Sequence, residues 1–153
     1  MEQSTDSEDG SLAADNGIPD LLIEQLQLDS EGAHEFLRLL SFDDHLLRRF
    51  GQLDMIRKEP GVLDELSLRV VADEVWFLIE GAARCIGRDL RPGSPSQDQD
   101  VAFELSTPTR VLVPVGVAFG WHAIGSSALM LRCSTHQDGD HPEDRVIPSE
   151  ASG

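Results

Sequence analysis

Period-two alternation dominates the middle of the chain. Leu66, Leu68 and Val70 alternate with Ser67, Arg69 and Val71, and Val75, Phe77 and Ile79 alternate with Trp76, Leu78 and Glu80. Successive side chains of a strand point to opposite faces, so each run predicts a strand with two distinct faces. Further apolar stretches at Ala83 to Arg88, Val101 to Leu105, Arg110 to Val113 and Ser126 to Cys133 are bounded by Gly, Pro, Ser or Asp. Short strands at this spacing predict an antiparallel sandwich or barrel, an all-β class.

Before Pro60 the pattern is more broken. Leu21 to Leu28 and His34 to Leu40 are apolar runs separated by Asp29-Ser30-Glu31-Gly32, which predicts two strands and a hairpin-like reversal. Ser41-x-x-Asp44 then precedes Leu46, Leu47 and Phe50 and is closed by Gly51, the order of an N-cap, an apolar stripe and a C-terminal glycine. One short helix is predicted there. Residues 1–19 carry acids, Ser and Gly but no Lys or Arg, so they are expected to form a disordered acidic tail. The domain is placed at 20–148, with a polar closing segment after His136 that wraps the surface or hangs loose, and a loose end at 149–153.

Length and charge narrow the classes. At 153 residues the chain suits one domain with one core. A formal charge of -16 argues against nucleic acid and anionic membrane surfaces as partners. Lys58 is the only lysine. No apolar run approaches the roughly 20 residues that span a bilayer, and the first residues lack a basic-then-apolar order, so a cytoplasmic protein is expected. The two cysteines, Cys85 and Cys133, lie in apolar runs and are expected to be buried free thiols.

Three turn-bounded segments carry more information. Asp89-Leu90-Arg91-Pro92-Gly93-Ser94-Pro95, the strand end Glu104-Leu105-Ser106, and Val113-Pro114-Val115-Gly116-Val117-Ala118-Phe119-Gly120-Trp121 together resemble the dTDP-4-dehydrorhamnose 3,5-epimerase family of the cupin superfamily. The resemblance spans roughly residues 20–148 and implies a cupin-type jelly roll, a double-stranded β-helix, with the one short helix near the N-terminus. It also implies a homodimer paired through its sheets and early strands. Metal-binding cupins place a His in the P-x-G-x-x-H turn, and here that position is Phe119; no H-x-H occurs, and the histidines are scattered at 34, 45, 122, 136 and 141. No metal and no cofactor are expected.

The family's activity moves a proton from carbon beside a keto group of a nucleotide-linked 4-keto-6-deoxy sugar and returns one to the opposite face. The resemblance assigns the base to a His, paired with an Asp, in a G-V-L-R-G-L-H-Y-Q run, and the acid to a Tyr. The matching run is Gly61-Val62-Leu63-Asp64-Glu65-Leu66-Ser67-Leu68-Arg69, with Ser67 at the His position, and the chain has no tyrosine; Leu131 or its neighbours stand on the strand where the family has its aromatic acid. The family's cations fall at Glu31, Asp64 and Glu74, which turns local attraction for a diphosphate into repulsion. Arg57, Arg69 and Arg132 offer a different anion site or pair with acids across strands.

The leading expectation is an epimerase-like cupin that is non-catalytic or chemically altered and binds a small, sugar-related ligand. The pocket is expected to be lined by Ser67, Arg69, Trp76, Phe119, Trp121 and Leu131. A second expectation keeps an isomerase or epimerase that uses Glu74, Glu80 or Asp64 as base. A third is a structural homodimer whose interior is filled by side chains.

Overall fold

Two five-stranded antiparallel sheets face each other across an apolar interior in the computed structural model, which describes residues 17–63, 65–106 and 108–150. Among these residues the strands are β1 (Leu22–Gln25), β2 (Leu28–Glu31), β3 (His34–Leu37), β4 (Gln52–Lys58), β5 (Glu65–Leu68), β6 (Glu74–Glu80), β7 (Ala82–Asp89), β8 (Asp100–Ser106), β9 (Thr109–Val113), β10 (Val117–Ala123), β11 (Ala128–Ser134) and β12 (Arg145–Pro148). One sheet runs β1-β9-β6-β11-β4, the other β12-β5-β10-β7-β8, and β2 and β3 form a separate ribbon. No helix of the described residues is long and apolar enough to cross a membrane.

Alternation sorts the apolar side chains into three layers. Trp76, Leu78, Met130, Phe119, Trp121 and Cys85 meet in the interior. Val75, Phe77 and Cys133 face the other way, under Leu39, Leu40, Leu46 and Leu47. Leu66, Leu68 and Ala118 form the outer layer of the second sheet with Ile86 and Ile147. The first sheet is thus buried on both faces over much of its width, and Val75 to Leu78 are buried without a break.

Several expectations need correction. The helix between Ser41 and Gly51 is a single 3-10 turn, Phe42–Asp44. The capping box is present, with Ser41 accepting from the Asp43 amide and Asp44 accepting from the Ser41 amide, but His45 follows in the left-handed region at φ 55°. Arg110 holds the Asp44 carboxylate at 2.9 Å, and Leu46 and Leu47 are drawn onto the sheet, so packing wins over helix propagation. The early hairpin turns at Gly32-Ala33, one step later than the Asp29 to Gly32 reading, because Asp29, Ser30 and Glu31 are already strand residues. Unforeseen strands are β4, β10 and β12, β12 pairing Val146 with Ser67 and Ile147 with Leu66, and the single strand expected from Leu21 to Leu28 is divided into β1 and the start of β2. Of the expected acidic tail, residues 1–16 lie outside the described ones, and Ile18 belongs to the interior cluster.

The Asp89-to-Pro95 signature is a turn built around one carboxylate. Asp89 is fully buried and accepts hydrogen bonds from the Arg91 amide and guanidinium and from the hydroxyls of Ser94 and Ser96. Burial alone would favour protonation, but these donors outweigh it and hold the Asp89 carboxyl well below the usual carboxylate range. Gly116 closes the neighbouring turn at φ +87°, where a Cβ would also meet the Arg91 side chain at 2.6 Å.

Candidate functional site at the open edge of the sandwich

The two long edges of the sandwich differ in chemistry. At β8 the interior is sealed by Phe103 and Val101, which pack against the core together with Ile23 of β1. At β4, the edge strand of one sheet, and at β5, which β12 flanks in the other, the inward positions other than Ile56 are polar. Ile56 stands opposite Met130, so Gln52, Asp54 and Lys58 share its inward face; Ser67 stands opposite Phe119, so Glu65 and Arg69 share that face. Polar groups of both inward faces therefore collect between β4 and β5.

At one end of this edge lies an ion network that is buried at Arg69 and Glu74 and exposed at Asp138. The Arg69 guanidinium is 2.6 Å from Glu74 and 3.0 Å from Asp144. Arg132 binds Asp54, lies 2.9 Å from Asp138 and 3.7 Å from Glu74, and its guanidinium stands 5.8 Å from the centre of the Trp76 ring. The Trp76 indole donates to Glu74 at 3.0 Å. The Arg132 hydrogen bonds hold the Asp54 carboxyl below its ordinary pKa against the opposing effect of burial. Two guanidiniums thus meet four carboxylates, which leaves no surplus positive charge for an anion. This is the cross-strand pairing that the sequence offered as one fate of Arg69 and Arg132, and Arg57 likewise pairs with Glu80 at 3.3 Å.

At the other end is Lys58, which the sequence reading left without a role. Its ammonium sits 4.5 Å from the centre of the Trp121 ring and donates a 2.9 Å hydrogen bond to the Trp121 carbonyl. No carboxylate of the described residues pairs with it. Burial lowers its pKa, and the nearby Cys85 side chain offsets part of that shift. Cys85 itself is an inert buried thiol, pushed up to about 12 by burial. A cleft of about 540 Å³ opens here, lined by Lys58, Glu59, Leu63 and Glu65 and by Trp121 and His122 of β10. The chain crosses between the sheets at this point, and Gly120 permits the close approach: a Cβ there would lie 2.6 Å from the Glu65 carbonyl oxygen.

The expected pocket residues are only partly brought together. Trp76, Phe119 and Trp121 do meet, with ring centres 5.4 Å and 6.3 Å from Trp76 to the other two. They are almost fully buried, so they form a packed floor under the edge rather than the walls of an apolar cavity. Ser67 is exposed on the inward face, Arg69 is committed to the ion network, and Leu131 lies on the far face of its sheet beside Phe77 and Cys133. Leu131 is misassigned because both faces of β11 are apolar, so alternation alone does not say which looks inward.

The candidate carboxylates also separate. Glu74 points inward with both oxygens engaged, whereas Glu80 is exposed beside Arg57, a register shift after Leu129 having placed it across from that residue. Asp64 lies outside the described residues. Among those residues no group of three or more His, Cys, Asp or Glu side chains is placed to hold a metal ion.

No protein-family model matches the sequence. The chain is 27% identical over 135 residues to the spore coat polysaccharide biosynthesis protein SpsL of Bacillus subtilis, covering 86% of this chain and 89% of that protein. Among solved structures it is similar to a dTDP-6-deoxy-D-glucose-3,5-epimerase of Legionella pneumophila in complex with dTDP-4-keto-L-rhamnose, at TM-score 0.74 and 22% identity over 86% of this chain and 73% of that one. A dTDP sugar isomerase of Desulfovibrio desulfuricans gives TM-score 0.69 and 18% identity over 88% and 86% of the two chains.

Proposed function

We propose that this chain, which has the fold of the dTDP-4-dehydrorhamnose 3,5-epimerases, serves polysaccharide biosynthesis by binding a small sugar-derived ligand at the β4–β5 edge without the His and Tyr proton relay of that family. The strand order is read as the family's jelly roll, and the open edge as its ligand mouth. The observation that carries the reading is the polar inward face of β4 and β5 above an aromatic floor, with Ser67 exposed where the family has its base. Trp and Phe beneath polar rims suit the mixed apolar and hydroxyl surface of a sugar ring.

A nucleotide-linked substrate is the second reading, favoured by the dTDP ligands named for the solved relatives. Against it stands the ion network, whose guanidiniums are already neutralised. Calorimetric titration with neutral sugars, amino sugars and dTDP-sugars separates the two; heat with none of them would overturn ligand binding.

The protein is further proposed to act as a homodimer. Every residue of the β2–β3 ribbon except Leu37 is exposed, with Leu28 44% and Phe36 52% accessible, and a two-stranded ribbon is marginal alone in water. A second copy packing on this arm would supply the missing partner.

A further inference from the structure

We propose that Lys58 is the proton acceptor of this cleft, taking the hydrogen from the carbon beside the carbonyl of a keto sugar; this rests on the reading of the β4–β5 edge as a sugar site. A base for this step needs a lone pair, a place beside the ligand and shelter from water. Ser67 offers no lone pair of sufficient basicity near neutral pH, and Glu74 is locked by Arg69 and the Trp76 indole. Lys58 meets the conditions. It faces inward from β4 and lines the cleft together with Glu59, Glu65 and His122, and among the described residues no carboxylate holds it as an ion pair. The Trp121 ring and carbonyl fix the direction of the amine and favour its charged form, while burial, the larger effect, works against that form. Burial that lowers a lysine pKa raises the share of uncharged amine available as a base.

In the step, the carbon–hydrogen bond breaks, its electron pair passes into the carbonyl to give an enolate, and the proton becomes the third hydrogen of the Lys58 ammonium. Collapse of the enolate takes a proton back from the ammonium or from water. In deuterium oxide the ammonium exchanges, so the carbon gains deuterium with no oxidant or other co-reactant.

Because Lys58 is the only lysine, its amine is observable alone. Reductive methylation with ¹³C-formaldehyde labels Lys58 and the chain terminus, and the terminal signal is identified by the Lys58→Met variant. The probes are the methyl glycoside of a 4-keto-6-deoxyhexose and its dTDP-linked counterpart. The expected results are a Lys58 methyl resonance that titrates below the ordinary lysine range and moves when one probe is added, and deuterium wash-in by the unlabelled full chain. The exchange rate should rise with pH through that same midpoint. Lys58→Met and Lys58→Arg should each lose about 100-fold or more of the wash-in, the scale of a lost general base, while their circular dichroism stays unchanged. A shifted resonance without wash-in overturns Lys58 as base and leaves the binding reading standing. A resonance indifferent to both probes, with no exchange, overturns both. Exchange that persists in Lys58→Met assigns the base elsewhere.

Discussion

Ser67 and Phe119 stand directly opposite each other on β5 and β10, a small hydroxyl facing a phenyl ring across one antiparallel pair. The resemblance to the epimerase family puts the catalytic histidine at the first of these positions, and the metal-binding cupin turn puts a histidine at the second. Here the pair can neither accept a carbon-bound proton nor ligate a metal. Ser67 is exposed and among the described residues makes no side-chain hydrogen bond, so Ser67→Ala is expected to change stability by no more than about 0.5 kcal/mol. It should also leave sugar-dependent heat in calorimetry nearly unchanged. A large loss of either would return the site to the family's arrangement.

Asp89 carries the turn that most resembles the family. Asp89→Asn would leave the Arg91 guanidinium and the hydroxyls of half-buried Ser94 and buried Ser96 with a neutral, partly donating partner, at an expected cost of about 2–4 kcal/mol. For a domain of this size that is a drop of roughly 5–15 °C in melting temperature. The acid dependence follows from the direction of the shift. The folded pKa is depressed below the unfolded value near 3.8, so the stabilisation is fully present above that value and fades as pH falls towards the folded pKa. Thermal melts between pH 6 and pH 2 should therefore show a loss below about pH 4 that is smaller in Asp89→Asn than in the unaltered chain.

The Arg69 and Glu74 pair is buried on both sides, at 8% and 4% side-chain exposure. Glu74→Leu alone leaves a buried guanidinium short of its closest partner and is expected to cost about 3–5 kcal/mol. Replacing both, as Arg69→Met with Glu74→Leu, should recover part of that loss in denaturant titration, although Asp144 and the Trp76 indole then lose partners of their own. A double-variant cost equal to the sum of the two single-variant costs would mean that Arg69 draws nothing from Glu74.

Phe36 is 52% exposed on the β3 arm. Phe36→Glu is expected to shift the protein from dimer to monomer in light scattering, while its fold, read by circular dichroism, stays the same. A monomer in the unaltered chain would contradict the dimer directly.

Much of the scaffold was legible because turn chemistry is local. The Asp89 turn, the Pro114 to Gly116 turn and the strands β6 to β9 and β11 follow from alternation and from residues with special backbone geometry. The site was less legible. β4 reads Gln-Leu-Asp-Met-Ile-Arg-Lys, and its outward Leu53 and Met55 are exposed while polar Asp54 and Lys58 point in, the reverse of a usual core strand. The period-two signal was there, and it would have placed Lys58 on the face of Ile56. What alternation does not give is the sign of each face when a sheet is covered on both sides, so it does not separate Leu131 from the inward residues of β11. Nor does it show that Arg69 and Arg132 are neutralised by Asp54, Asp138 and Asp144, since those contacts join residues far apart in sequence.

The function proposed above requires a site that keeps the epimerase fold but not a grip on the nucleotide diphosphate. Titration of the full chain with dTDP in a calorimeter tests this most directly. With both guanidiniums of the edge already paired, dTDP alone is expected to give no binding up to millimolar concentration; a micromolar dissociation constant, lost on mutation of Arg69 or Arg132, would contradict it.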